Sequence, residues 1–215
     1  MATLNLIEIF ASVQGETSLS GFPTTFVRLA ACNLRCTWCD TTYSFGRGTP
    51  HTLESIISQV EANGLPYVCV TGGEPLLQAN VLSLMKTLCD KGYMVSLETG
   101  GSLSTEDVDP RVITILDIKC PGSGMSDKNH WSNLDRLRSH DEVKFVVADR
   151  GDYLYAKDIC ERYELNKLGR NVLISPVHGK CDPQALVSWI LQDRLPVRLN
   201  LQIHKFIWTP ETQGV

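Results

Sequence analysis

Residues 32–41 read Cys32-Asn33-Leu34-Arg35-Cys36-Thr37-Trp38-Cys39-Asp40-Thr41, with three residues between the first two cysteines and two between the last pair. Thiolates at this spacing can wrap one face of a metal centre. Three ligands are one short of a closed tetrahedral set. A [4Fe–4S] cluster held by Cys32, Cys36 and Cys39 alone therefore keeps one iron open to a small molecule. Two other readings fit the same spacing: a structural zinc completed by a distant His or Cys, and plain core thiols. The polar Asn33, Arg35, Thr37 and Asp40 interleaving the cysteines speak for a loop rather than a core element.

The elements that must carry this loop follow from hydrophobic period. Residues 4–12 alternate as a strand, with Ile7, Ile9 and Ala11 on one face and Glu8 on the other. Gln14-Gly15-Glu16-Thr17 interrupts, and a β-branched run over 24–29, around Arg28, delivers the chain into the cysteines. Leu53, Ile56, Ile57 and Val60 then fall on one face of a helix that Gly64 ends. Short apolar strands follow at 67–70, 94–97, 112–118, 143–147, 172–174 and 197–203. Between them lie helical stripes at 81–88, around 131–137, at 156–163 and at 186–190. Alternation of this kind without a linker describes one α/β domain over 1–215 with a mostly parallel sheet. About six βα units against the eight of a full barrel predict an open, partial TIM-like barrel, with a doubly wound sheet as the second choice. Residues 206–215 form a C-terminal tail beyond the last unit.

Chemistry-bearing residues collect at the strand ends: the cysteine loop, Thr71-Gly72-Gly73-Glu74, Glu98-Thr99-Gly100, Asp117 and Lys119, Ser175-Pro176, and Gln202 with His204. In parallel α/β folds those ends share the rim on which ligands bind. Any one of these segments alone reads as a solvated turn; together on one rim they read as a site.

Composition narrows the class. The chain has 215 residues, 43% hydrophobic and 20% charged, which suits a single ordered globular domain. A net charge of −4 supplies no bulk basic field for nucleic acid. No basic segment leads into an apolar run at the N-terminus, and no apolar run approaches a membrane span. Eight cysteines in such a chain fit metal-bound thiols in a reducing cytoplasm better than a disulfide scaffold.

The pattern C-x3-C-x-aromatic-C, with Trp38 in the aromatic slot, resembles the signature of radical S-adenosylmethionine (radical SAM) enzymes. Following that loop, Gly72-Gly73-Glu74-Pro75 resembles the turn by which such enzymes hold the cofactor's amino group. Gln14-Gly15-Glu16, Cys39-Asp40-Thr41, Glu98-Thr99-Gly100, Asp117-Ile118-Lys119 and Gln202-Ile203-His204-Lys205 together resemble the 7-carboxy-7-deazaguanine synthase family over residues 7–207. The resemblance implies a radical SAM core and a lyase reaction in the route to queuosine and other 7-deazapurines. The substrate implied is 6-carboxy-5,6,7,8-tetrahydropterin, which becomes 7-carboxy-7-deazaguanine with loss of ammonia. A hydrogen is abstracted at C6, the ring rearranges, and the cofactor is regenerated. It also implies a [4Fe–4S] cluster, S-adenosylmethionine, Mg2+, a single-electron reductant such as a flavodoxin, and a homodimer.

Carried over, the resemblance makes Cys32, Cys36 and Cys39 the cluster ligands and Thr41 a magnesium ligand. Thr71, Gly72, Gly73, Glu74, Lys119, Ser123 and Ser175 become contacts of S-adenosylmethionine. Arg28 becomes the fork for the pterin carboxylate, and Glu98 with Thr99 the acceptor for its 2-amino edge. Gln14, Gly15, Glu16 and His204 complete the substrate pocket. In some members the C-terminal carboxylate reaches the substrate; here the chain runs on from Lys205 to Val215. Cys69, Cys89, Cys160 and Cys181 read as core or surface thiols, and Cys120 stands on the rim without a role. A glycyl-radical-enzyme activase shares the cysteine loop and the Gly-Gly-Glu turn but has no use for Arg28 and Glu98. A zinc-binding module would leave the whole rim unexplained.

Overall fold

The computed structural model describes residues 2–165, 171–209 and 212–214. Pro210, Glu211 and Val215 of the expected tail thus lie outside the described residues. The strands are β1 (Thr3–Val13), β2 (Pro23–Leu29), β3 (Thr49–Thr52), β4 (Tyr67–Gly72), β5 (Met94–Thr99), β6 (Ile113–Ile118), β7 (Glu142–Val147), β8 (Asn171–Pro176) and β9 (Arg198–Leu199). The helices are α1 (Leu53–Asn63), α2 (Asn80–Asp90), α3 (Arg150–Arg162), α4 (Pro183–Asp193) and the single turn α5 (His204–Ile207). One sheet runs in the order β3-β1-β2-β4-β5-β6-β7-β8-β9. It is parallel from β2 to β9, carries antiparallel β1 and β3 at one edge, and does not close. The architecture is the expected open, partial barrel.

The two-residue period of the strands separates core from site. Val27, Leu29, Val70, Leu97 and Met85 pack in one buried apolar cluster, and Leu116, Val143, Phe145, Ile174 and Tyr153 in a second. The alternate positions, among them Arg28, Thr71, Glu98, Asp117 and Lys144, line a cavity on the other face. α1 forms where the period predicts it: Thr52 accepts from Ser55 N–H as its N-cap, and Gly64 ends it at φ 65°.

Three local expectations are corrected. In β1 the register slips at Ile7, between Leu6 paired with Leu29 and Glu8 paired with Arg28. The bulge shifts the alternation: Leu4 and Leu6 before it and Ile9 after it join the core, Ile7 drops out of phase, and Ala11 stays in phase with Ile9, opposite Thr25, but is exposed. The helix expected around 131–137 is a 3-10 stretch, Trp131–Arg136. Trp131, Leu134 and Leu137 recur every three residues, which is the 3-10 repeat. Buried Asn133 anchors the stretch by accepting from Thr105 N–H and donating to the Leu103 carbonyl. Hence neither the β5–β6 nor the β6–β7 crossover carries an α-helix. The last strand shortens from 197–203 to Arg198–Leu199. Ile203 N–H instead donates to the Gly15 carbonyl, which draws Gln202 and His204 over the cavity.

Candidate active site

β2 ends by pairing Leu29 with Gly72 of β4, so the cysteine loop and the Gly-Gly-Glu turn emerge side by side. Gly73 N–H donates to the Leu29 carbonyl, and Glu74 N–H to that of Ala31. The approach is close enough that a Cβ on Gly73 would stand 2.0 Å from the Ala31 carbonyl oxygen and 2.8 Å from Cys32 Cβ. A side chain at 73 is therefore excluded by the backbone that carries the first cysteine.

Cys32, Cys36 and Cys39 open onto one cavity of about 400 Å³, all three as free, partly exposed thiols. Burial pushes the Cys32 and Cys36 thiols up, and the nearby Lys119 pulls both the other way. Soft thiols at a cationic wall suit an iron–sulfur cluster, whose binding as thiolate releases the protons. Among the described residues, no three His, Cys, Asp or Glu side chains converge on a point that a single ion would fill. Thr41 lines the cavity beside Cys39, its hydroxyl 3.7 Å from Cys39 Sγ.

Glu98, at the end of β5, lines the cavity with both oxygens oriented. Thr71 Oγ1 donates to one at 3.0 Å and Gln14 Nε2 to the other at 3.3 Å. Each oxygen keeps a lone pair for a ligand donor. Arg28 enters from β2, where Nε donates to Glu8 at 2.8 Å and Tyr43 donates to the same oxygen. Its guanidinium also lies over the rings of Phe10 and Tyr43. His204 packs on the bare Cα of Gly15, where a Cβ would fall 2.0 Å from Nδ1. Burial lowers the His204 pKa against the pull of Glu16.

Glu16 is held from two sides: Lys144 Nζ donates to Oε2 and Gln202 Nε2 to Oε1, each at 2.7 Å. Burial would raise its pKa, but the charge and hydrogen bond of Lys144 hold it down to about 2. Lys119 and Lys144 both face Asp117, at 3.1 and 3.7 Å.

Three expected contacts lie behind the cavity wall rather than on it. Glu74 is fully buried: it accepts from Leu76 N–H at 3.0 Å and Gly100 N–H at 2.8 Å, and Thr99 Oγ1 lies 2.9 Å from both its oxygens. The carboxylate pins the end of β4 to the end of β5. Ser123 donates to the Cys120 carbonyl at 2.6 Å and accepts from Met125 N–H. Ser175 accepts from Asn200 Nδ2 at 2.8 Å. Cys120, expected on the rim, is buried in the second core cluster.

Lys144 had no place among the sequence candidates. Its signal was Glu142 and Lys144 alternating inside an otherwise apolar strand, charges that a buried sheet carries only when paired. Asp40 and Lys205 likewise form a 2.7 Å pair that ties the C-terminal segment to the cysteine loop.

Residues 27–116 match the radical SAM superfamily. The chain is 46% identical to the 7-carboxy-7-deazaguanine synthase of Chlorobaculum tepidum, over 100% of this chain and 98% of that protein. It is 44% identical to the protein of that name from Koribacter versatilis, over 99% and 100% of the two chains. The crystal structure of QueE from Escherichia coli shares the fold, with a TM-score of 0.77 over 93% of each chain at 20% identity.

Proposed function

Since the chain belongs to the 7-carboxy-7-deazaguanine synthase family, we propose that its cavity takes 6-carboxy-5,6,7,8-tetrahydropterin and yields 7-carboxy-7-deazaguanine with loss of ammonia. The observation that carries the reading is the opening of three cysteines, an arginine and an oriented glutamate onto one cavity. The protein is a radical SAM enzyme of the lyase type. Cys32, Cys36 and Cys39 would hold the [4Fe–4S] cluster, which with S-adenosylmethionine supplies one-electron chemistry when both are bound.

The chain's own part is binding and orientation. Glu8 occupies Nε of Arg28, which leaves the terminal fork for the pterin carboxylate. Glu98, with its oxygens set by Gln14 and Thr71, accepts the 2-amino and ring N–H donors of the far edge. Glu16 and His204 close over the ring between them. Thr71, Gly72, Gly73 and Lys119 face the cysteine end and serve S-adenosylmethionine. Glu74, Ser123 and Ser175 support that wall from behind, and Thr99 lines the cavity beside Glu98 while its hydroxyl holds Glu74. Thr41 offers a single hard oxygen to Mg2+, an ion that keeps most of its water. A flavodoxin-like protein delivers electrons, and the chain works as a homodimer in the cytoplasm. Among the described residues no helix is long and apolar enough to cross a membrane.

The test is anaerobic turnover. Reduced, iron-loaded protein with the pterin, S-adenosylmethionine and magnesium should form the deazaguanine chromophore with catalytic S-adenosylmethionine. Cys36→Ala should lose both iron and product. Iron-loaded wild type without product, or S-adenosylmethionine consumed one for one, overturns the reading in favour of an activase.

A further inference from the structure

Two lysines and two carboxylates interlock between the substrate end and the cysteine end of the cavity. Lys144 rises from β7, with its side chain only 10% exposed, and its Nζ reaches Glu16 across 128 positions of sequence. Beside it, Asp117 faces both lysines through Oδ2, and its Oδ1 is buried without a partner. Around Glu16 the immediate hydrogen-bond neighbours are donors: Lys144 on one oxygen and Gln202 on the other. A carboxylate so surrounded can only accept. Glu16 lines the same cavity as Arg28 and Glu98; on the reading that seats the pterin carboxylate on Arg28 and its pyrimidine edge on Glu98, Glu16 is the carboxylate left to meet the pyrazine ring.

That ring differs by redox state. In the tetrahydropterin its nitrogens carry hydrogens and donate; in the fully oxidised pterin they are bare and accept. We propose that Lys144 is a positioning residue through which the site selects the reduced pterin, by keeping Glu16 an acceptor that attracts ring N–H and repels bare ring nitrogen. The inference rests on the tetrahydropterin reading above and goes beyond it, because it assigns the choice between oxidation states to a residue of β7. A bare ring nitrogen facing the anion forfeits a charge-assisted hydrogen bond and meets lone-pair repulsion, which predicts discrimination of about 10- to 100-fold.

The experiment is equilibrium binding to the iron-loaded full chain under anaerobic conditions, without S-adenosylmethionine or reductant. The two probes are 6-carboxytetrahydropterin and fluorescent, fully oxidised 6-carboxypterin. Wild type should favour the reduced form by about 10-fold or more. Lys144→Met should bring the two affinities within about 3-fold of each other, and Lys144→Arg should restore the preference. Glu16→Gln, whose amide can donate as well as accept, should also erase it, and decides the matter if Lys144→Met fails to fold. Equal affinities in wild type, or a preference retained in folded Lys144→Met or in Glu16→Gln, overturn the inference while the functional reading stands. If neither pterin binds wild type, the functional reading falls first and takes this one with it.

Discussion

Replacing Glu74 by glutamine separates a structural carboxylate from a ligand-binding one. Glu74 is buried and satisfies Leu76 N–H, Gly100 N–H and the Thr99 hydroxyl, drawing the ends of β4 and β5 together. Glutamine keeps the volume but turns one acceptor oxygen into an NH2 group. One of the two backbone N–H groups then faces a donor and is left unsatisfied, at a cost of about 1–3 kcal/mol. Burial already pushes the Glu74 carboxyl up, so relief of that desolvation offsets part of the loss. Glu74→Ala strips all three donors and leaves a void, for about 3–5 kcal/mol. For a domain of this size each kcal/mol lowers Tm by about 2–4 °C. Thermal unfolding of the apo-protein should therefore show Glu74→Gln down by about 2–12 °C and Glu74→Ala by more. S-adenosylmethionine affinity, measured on the folded iron-loaded protein, should fall only as far as the rim is disturbed. An unchanged Tm with affinity abolished would refute the reasoning and make Glu74 a direct contact.

Gly73→Ala should destabilise the cysteine loop by about 3 kcal/mol or more, because the new Cβ meets the Ala31 backbone; iron content after anaerobic reconstitution reads the damage. Glu16 should make stability depend on acid. Its folded pKa of about 2 lies below the ordinary 4.5, so its contribution is complete above about pH 5 and is lost as pH falls toward 2. Urea midpoints taken at about pH 6 and pH 3 should therefore drop further for wild type than for Glu16→Gln, and equal drops would contradict the Lys144 pairing.

What the chain states in its own order is the chemistry and its carriers. Cysteine spacing, paired glycines after a strand and the two hydrophobic periods all depend on residues within a few positions of one another. The helix stop at Gly64 and the cluster of polar residues at strand ends are legible for that reason. Tertiary structure decided which of those residues meet the cavity. Glu74, Ser123 and Ser175 look like site residues in sequence, yet each spends its side chain on a neighbouring backbone or amide group. Lys144 looks like a stray charge in a core strand, yet it reaches Glu16 because β7 runs beside β6 in a register that sets Lys144 against Asp117. The slip at Ile7 likewise depends on how β1 pairs with β2. Spacing is a property of covalent neighbours, whereas a side chain's partner follows from sheet register and crossover, which are settled only when distant strands have packed.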